Sequence, residues 1–143
     1  MKDFPDESGK MANWRKVSTM PNAEKMLQQL STKADCYLAT NAKDSAKGDI
    51  FTALERVNLV DYFRDIFCFQ EIGYAKPYQE YFVWILRKLQ VQKSEIIMVG
   101  DNLEKDIRGA ENYGIEAILY NPQNRPIDFH GKKITDLLEL LTV

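Results

Sequence analysis

Apolar positions along this chain recur with two periods. From Pro21 onward, segments with an apolar residue every three or four positions alternate with short, continuous apolar runs. PNAEKMLQQL opens with a proline suited to a first helical position and places Ala23, Met26, Leu27 and Leu30 on one stripe. Residues 44–57 carry Ile50, Leu54 and Val57 at helical spacing despite Gly48. Residues 78–89 repeat the pattern through Tyr81, Phe82, Ile85, Leu86 and Leu89, with Trp84 beside that face. A shorter helix is predicted over 103–113, ended by Gly114, and a last one over 134–141 (ITDLLELL) with Ile134, Leu137, Leu138 and Leu141 inward.

The runs CYLAT, IFCF, EIIMVG and IEAILY separate these helices and read as buried strands. GYAKP and NPQNRPIDFHGKK are loops by their Gly, Pro and Asn content. Strands alternating with helices predict an α/β domain with a mostly parallel sheet. Residues 1–19 show no comparable period and read as a flexible lead, leaving 20–143 as the domain.

Composition narrows the classes of function. The chain has 143 residues, 45% apolar and 28% charged, as expected of a folded domain with its own core. With 19 Lys+Arg against 21 Asp+Glu and no basic cluster, no footprint for nucleic acid or an anionic membrane is present. No apolar run approaches the roughly 18 to 20 residues that span a bilayer, and the start MKDFPDESGK lacks the apolar centre of a secretory signal. A cytoplasmic protein is the expectation. Cys36 and Cys68 lie within apolar runs and read as buried thiols, while His130, in DFHGKK, reads as a surface residue.

In open parallel sheets, ligands bind where strands end and the loops into the next helices begin. CYLAT ends in Thr40 and Asn41, the loop after IFCF carries Lys76, and EIIMVG runs into Asp101, with Asp106 five residues further on. A hydroxyl and a backbone N–H can donate to phosphoryl oxygens, and a lysine can neutralise charge that builds during transfer. A carboxylate can hold magnesium, and a second one nearby can orient the lysine or a metal-bound water. Taken singly, each residue has a plainer role: Thr40 can finish a strand, Lys76 can be a solvated loop residue, and Asp101 and Asn102 can cap a helix on whose surface Asp106 lies.

As a set and in this order, these residues resemble the haloacid dehalogenase superfamily of hydrolases, most of which are phosphatases. The resemblance runs from about Met20 to the end. CYLATN with Thr40 is similar to the family's second motif, GYAKP with Lys76 to its third, and VGDNLEKD with Asp101 and Asp106 to its fourth; IRGAENYGI follows the acidic pair. The resemblance implies a Rossmann-like three-layer sandwich and a magnesium-dependent phosphoryl transfer through an aspartyl-phosphate. Thr40, Lys76 and Asp106 would serve catalysis, Thr40, Asn41 and Lys76 would bind phosphate, and Asp101 would ligate the metal. The substrate implied is a small phosphorylated metabolite. Receiver domains of signalling systems use similar residues, but there the acidic pair comes first and Lys-Pro last.

The family's first motif, an Asp-x-Asp at the end of an apolar strand, supplies the nucleophile, and no such element precedes Thr40. Asp3 and Asp6 in KDFPDE are spaced wrongly and have a proline between them. The same resemblance places that first strand in the middle of the sheet, between those ending in Thr40 and Asp101, and a substrate-selecting cap just after it; residues 1–19 would be at most a cap remnant. The expectations are a truncated fold, weak or no magnesium binding, and little or no turnover by this chain alone. A non-catalytic phosphate- or protein-binding module is the alternative. Unpaired backbone groups in a central gap would cost on the order of 1 to 3 kcal/mol each, against a total stability of roughly 5 to 15. Three arrangements would relieve this: direct pairing of the flanking strands, a strand from residues 13–18, or one swapped in from a second chain as in a homodimer. Direct pairing and dimerisation are favoured.

Overall fold

The structure, a computed structural model, describes residues 21–142. Its five helices are α1 (Ala23–Leu30), α2 (Lys47–Arg56), α3 (Phe69–Ile72), α4 (Gln79–Leu89) and α5 (Gly109–Tyr113). Its strands are β1 (Tyr37–Ala39), β2 (Asp65–Phe67), β3 (Ile97–Gly100), β4 (Glu116–Tyr120) and β5 (Lys133–Ile134). Among the described residues all pairings are parallel, and they form two half-sheets, β1 with β2 and β3 with β4 and β5. The alternation along each strand sends side chains to two cores. Leu38, Ile66, Ile118 and Tyr120 join α1 and α2 on one face, while Ala39, Phe67, Ala117 and Leu119 join α4 and α5 on the other. Each core draws on both half-sheets, so three layers are held as one body.

Direct pairing of the strands ending in Thr40 and Asp101 is not found: among the described residues β1 bonds only to β2, and β3 only to β4. A cavity of about 520 Å³ lies between them, with Tyr37, Ala39, Met98 and Val99 in its wall beside Leu27 and Ile85. Residues 13–18, named as one source of a bridging strand, lie outside the described residues, as does the rest of the lead.

The apolar stripes are buried or half-buried where the sequence places them, except that in the last segment Leu140 is buried while Leu138 and Leu141, expected inward, are only half-buried. The first helix starts after Pro21, because Asn22 takes a left-handed turn and its carbonyl accepts the Met26 N–H at 2.9 Å. The predicted terminal helix divides in two. Hydrogen bonds from Leu119 N–H to Lys132 O and from Asn121 N–H to Ile134 O draw Ile134 into β5. Beyond it, Glu139 accepts from the Thr135 and Asp136 N–H groups at 2.8 and 3.0 Å, and the chain tightens into 3₁₀ turns over Leu137–Thr142. Cys36 and Cys68 are buried free thiols, and His130 is exposed.

Candidate functional site

The predicted helix over 103–113 also departs from a simple α-helix. Leu103–Arg108 is a π-helical turn, with the Asp106 and Ile107 N–H groups sharing the Asn102 carbonyl at 2.9 and 3.3 Å, and α5 continues from it. The Asn102 side chain caps the turn by accepting from Lys105 N–H. The widened turn carries Asp106 inward, where it is fully buried, and π turns of this kind recur at functional sites.

Asp106 meets Lys76 there. The Lys76 Nζ lies 2.6 Å from Asp106 Oδ1, and neither side chain is reached by solvent. The ammonium also donates to the Ala39 carbonyl at 3.0 Å, and Asp106 Oδ2 accepts the Asn102 N–H at 3.2 Å. One ion pair thus joins the end of β1, the loop after α3 and the turn after β3, across the two half-sheets. Asn41 adds a second tie: its Nδ2 donates to Lys76 O and its Oδ1 accepts the Lys76 N–H, both at 2.9 Å.

Thr40 and Asp101 stand one residue from groups that touch this pair. Thr40 is buried, extends the β1–β2 ladder by donating its N–H to Phe67 O at 3.0 Å, and accepts the Ala42 N–H on its hydroxyl at 3.1 Å. Asp101 faces solvent along its outer side. Partial burial of the carboxyl, then the neighbouring charge of Asp106, push its pKa above the ordinary value, while Lys76 pulls the other way.

Of the five residues singled out, Asn41, Lys76 and Asp106 are bonded together, and Thr40 and Asp101 flank them. None of the five lines the cavity between β1 and β3. Sequence reasoning missed what makes the approach possible. A Cβ on Gly100 would overlap the Asp106 carboxylate, and one on Gly109 would come within 2.8 Å of Pro77 Cα. The glycines in VGD and IRGA were the available signal. Also unforeseen were the Ala39 carbonyl as a Lys76 acceptor and the use of both ends of the Asn41 amide.

Among the described residues no group of three or more His, Cys, Asp or Glu is placed to hold a metal ion. Asp106 is taken up by Lys76, which leaves Asp101 as one carboxylate. Magnesium takes one or two carboxylates with waters and phosphate oxygens, so Asp101 fits the ion as a minimal ligand set.

A parallel α/β sandwich with a buried lysine–carboxylate pair at the strand ends places charged groups where ligands bind in open α/β sheets. Residues 2–120 match the model of the haloacid dehalogenase-like hydrolases, and the chain belongs to that family. It is 35% identical over 107 residues to a ribulose-1,5-bisphosphate 5-phosphatase of Halopiger xanaduensis, covering 74% of this chain and 44% of that protein. It is 30% identical over 130 residues to a glyceraldehyde 3-phosphate phosphatase of Pyrococcus furiosus, covering 87% and 53%. A crystal structure of the putative HAD-hydrolase YfnB from Bacillus subtilis, bound to magnesium, superposes with a TM-score of 0.78 at 25% identity, over 92% of this chain and 56% of that one. The chain spans about half the length of the curated relatives it matches. No helix among the described residues is long and apolar enough to cross a membrane.

Proposed function

We propose that this chain carries the phosphate and metal half of a cytoplasmic phosphatase site acting on a small phosphorylated metabolite. The observation that carries this is the Lys76–Asp106 pair, buried between the ends of β1 and β3 with Thr40 and Asp101 on either side. Phosphoryl transfer depends mainly on positioning and on neutralising charge. The Thr40 hydroxyl and the backbone at Asn41 would take phosphoryl oxygens, Lys76 would supply fixed positive charge at the end of β1, and Asp106 would hold Lys76 in place. Magnesium on Asp101 would neutralise further charge.

No Asp-x-Asp precedes Thr40 in this sequence, and on this reading the chain is expected to lack the nucleophilic carboxylate of such a mechanism. This chain alone is expected to release phosphate from a generic aryl phosphate slowly or not at all, with magnesium present. Turnover by the pure chain that disappears in Asp101→Ala would overturn the expectation of inactivity while supporting the phosphatase reading.

A second reading, a binding module completed by another polypeptide, is favoured by the apolar cavity between β1 and β3. A second copy of this chain is the occupant this reading tests. Sedimentation equilibrium tests this reading: a monomer across the micromolar range would exclude a homodimer.

A further inference from the structure

We infer that the side chain of Asn41 is a positioning residue that sets Lys76 by reading its main chain, and that it is not itself a phosphate ligand. The inference rests on the phosphatase reading above only for its functional meaning; its structural content stands separately. Asn41 and Lys76 are 35 residues apart in sequence, yet the amide of one closes a two-bond ring with the peptide groups of the other, Nδ2–H to Lys76 O and Lys76 N–H to Oδ1, both at 2.9 Å. Such a ring needs a donor and an acceptor on one short, planar group. Asparagine meets that need, whereas aspartate lacks the donor and alanine lacks both.

The ring has a consequence at the other end of Lys76. Its ammonium donates to Ala39 O at 3.0 Å and pairs with Asp106 at 2.6 Å. Both ends of Lys76 are therefore fastened to the last residues of β1 and its exit, the main chain through Asn41 and the ammonium through Ala39. With the backbone fixed, the four-carbon stem delivers Nζ to one place; with it loose, the same stem has many rotamers. With Asn41 Oδ1 committed to Lys76 N–H and one Nδ2 proton to Lys76 O, the amide is oriented by Lys76, and we assign any contact of this position with phosphate to its main-chain N–H rather than to the one Nδ2 proton left over.

Lys76 in the whole chain, labelled with ¹⁵N, provides the test. In Asn41→Ala the Lys76 amide proton should exchange with solvent about tenfold faster or more, the change expected on losing one partner of a partly buried hydrogen bond. The ¹⁵N resonance of its ammonium should shift as the pairing with Asp106 loosens, although the substitution lies on another element. Asn41→Asp, which keeps the acceptor and loses the donor, should restore amide protection in part and leave the ammonium signal between the two; it also carries the test if the alanine variant does not fold. An unchanged Lys76 amide and ammonium in Asn41→Ala would overturn the inference. So would a loss of inorganic phosphate affinity in calorimetry with the Lys76 signals unmoved, since that pattern marks a direct ligand. Failure of the unsubstituted protein to bind phosphate would count against the proposed function and leave the Lys76 readout to decide this one.

Discussion

Lys76 and Asp106 form an ion pair 2.6 Å long with no solvent contact on either side chain, and it joins two half-sheets that share no strand pairing among the described residues. Removing one partner of such a pair leaves the other charged and buried, which typically costs about 3 to 5 kcal/mol. Lys76→Met and Asp106→Leu are each expected to lower stability by that amount in urea denaturation. The double variant should lose much less than the sum, because no charge is then stranded. Additive single and double effects would mean that the pair does not couple the halves.

Gly100 is predicted to be intolerant for a specific reason. Its missing Cβ leaves the space that the Asp106 carboxylate fills, so Gly100→Ala must displace Asp106 from Lys76 and Asn102 N–H. A destabilisation of about 1 to 3 kcal/mol is expected from overpacking. Gly109→Ala should act similarly through the Pro77 backbone, 2.8 Å from the added carbon. In the background of Asp106→Ala the penalty of Gly100→Ala should shrink, whereas that of Gly109→Ala should stay. Thermal denaturation of the two glycine variants, of Asp106→Ala and of the two double variants reads this directly.

The layers of this fold were legible because burial imposes a period. Leu38 with Ile66, and Tyr81 with Ile85, had to be apolar for β1, β2 and α4 to pack, and the sequence shows it. The strand ends were legible because Thr40, Lys76 and Asp101 are polar residues placed directly after apolar runs. What was not legible depends on partners distant in sequence. The 3₁₀ turns after β5 arise where Glu139 captures the Thr135 and Asp136 N–H groups and β4 claims Ile134, a competition that apolar spacing does not register. The π turn that buries Asp106 exists because Lys76 and Asn102 N–H await its carboxylate, and the spacing of residues 103–113 fits an α-helix equally well. Direct pairing of β1 with β3 was one of the two arrangements favoured from the cost of unpaired edges, but among the described residues the two cores hold the half-sheets around a cavity.

The C-terminal turn should be the acid-sensitive part of the molecule. Asp136 is held below the ordinary carboxylate range by the Leu138 N–H and by the Asn22 amide, which reaches it from just before α1 at 3.1 Å. Glu139 is held low by the Asp136 and Thr135 N–H groups. For a depressed carboxylate the stabilisation is complete above the ordinary pKa and is lost as pH falls through the folded-state value. The protection of the Leu138 and Glu139 amides, measured relative to their intrinsic exchange rates at each pH, is therefore expected to fall on acidification through and below the ordinary carboxylate range, ahead of that in β4. Asp136→Ala should remove part of that dependence. A turn that loses protection together with β4 at every pH would contradict this assignment.

Asp101 should show the opposite sign, because its pKa is raised by partial burial and by Asp106. A raised carboxyl pKa means that the folded state binds the proton more tightly than the unfolded chain, so this group's contribution to stability falls as pH rises through the folded-state value. Without metal at neutral pH, Asp101→Asn is thus expected to stabilise the protein slightly, by less than about 1 kcal/mol since solvent along its outer side screens the charge. Magnesium would reverse the order. The ion neutralises the carboxylate that folding disfavours, and binding to the native state alone raises the melting temperature by mass action. Magnesium chloride should therefore raise the Tm of the unsubstituted chain modestly, at millimolar concentration, and leave Asp101→Asn unmoved relative to an equal ionic strength of sodium chloride. Equal shifts in both proteins would remove Asp101 from the metal site, and an Asp101→Asn variant less stable than its parent without metal would show that its carboxylate is held by contacts that favour the charge.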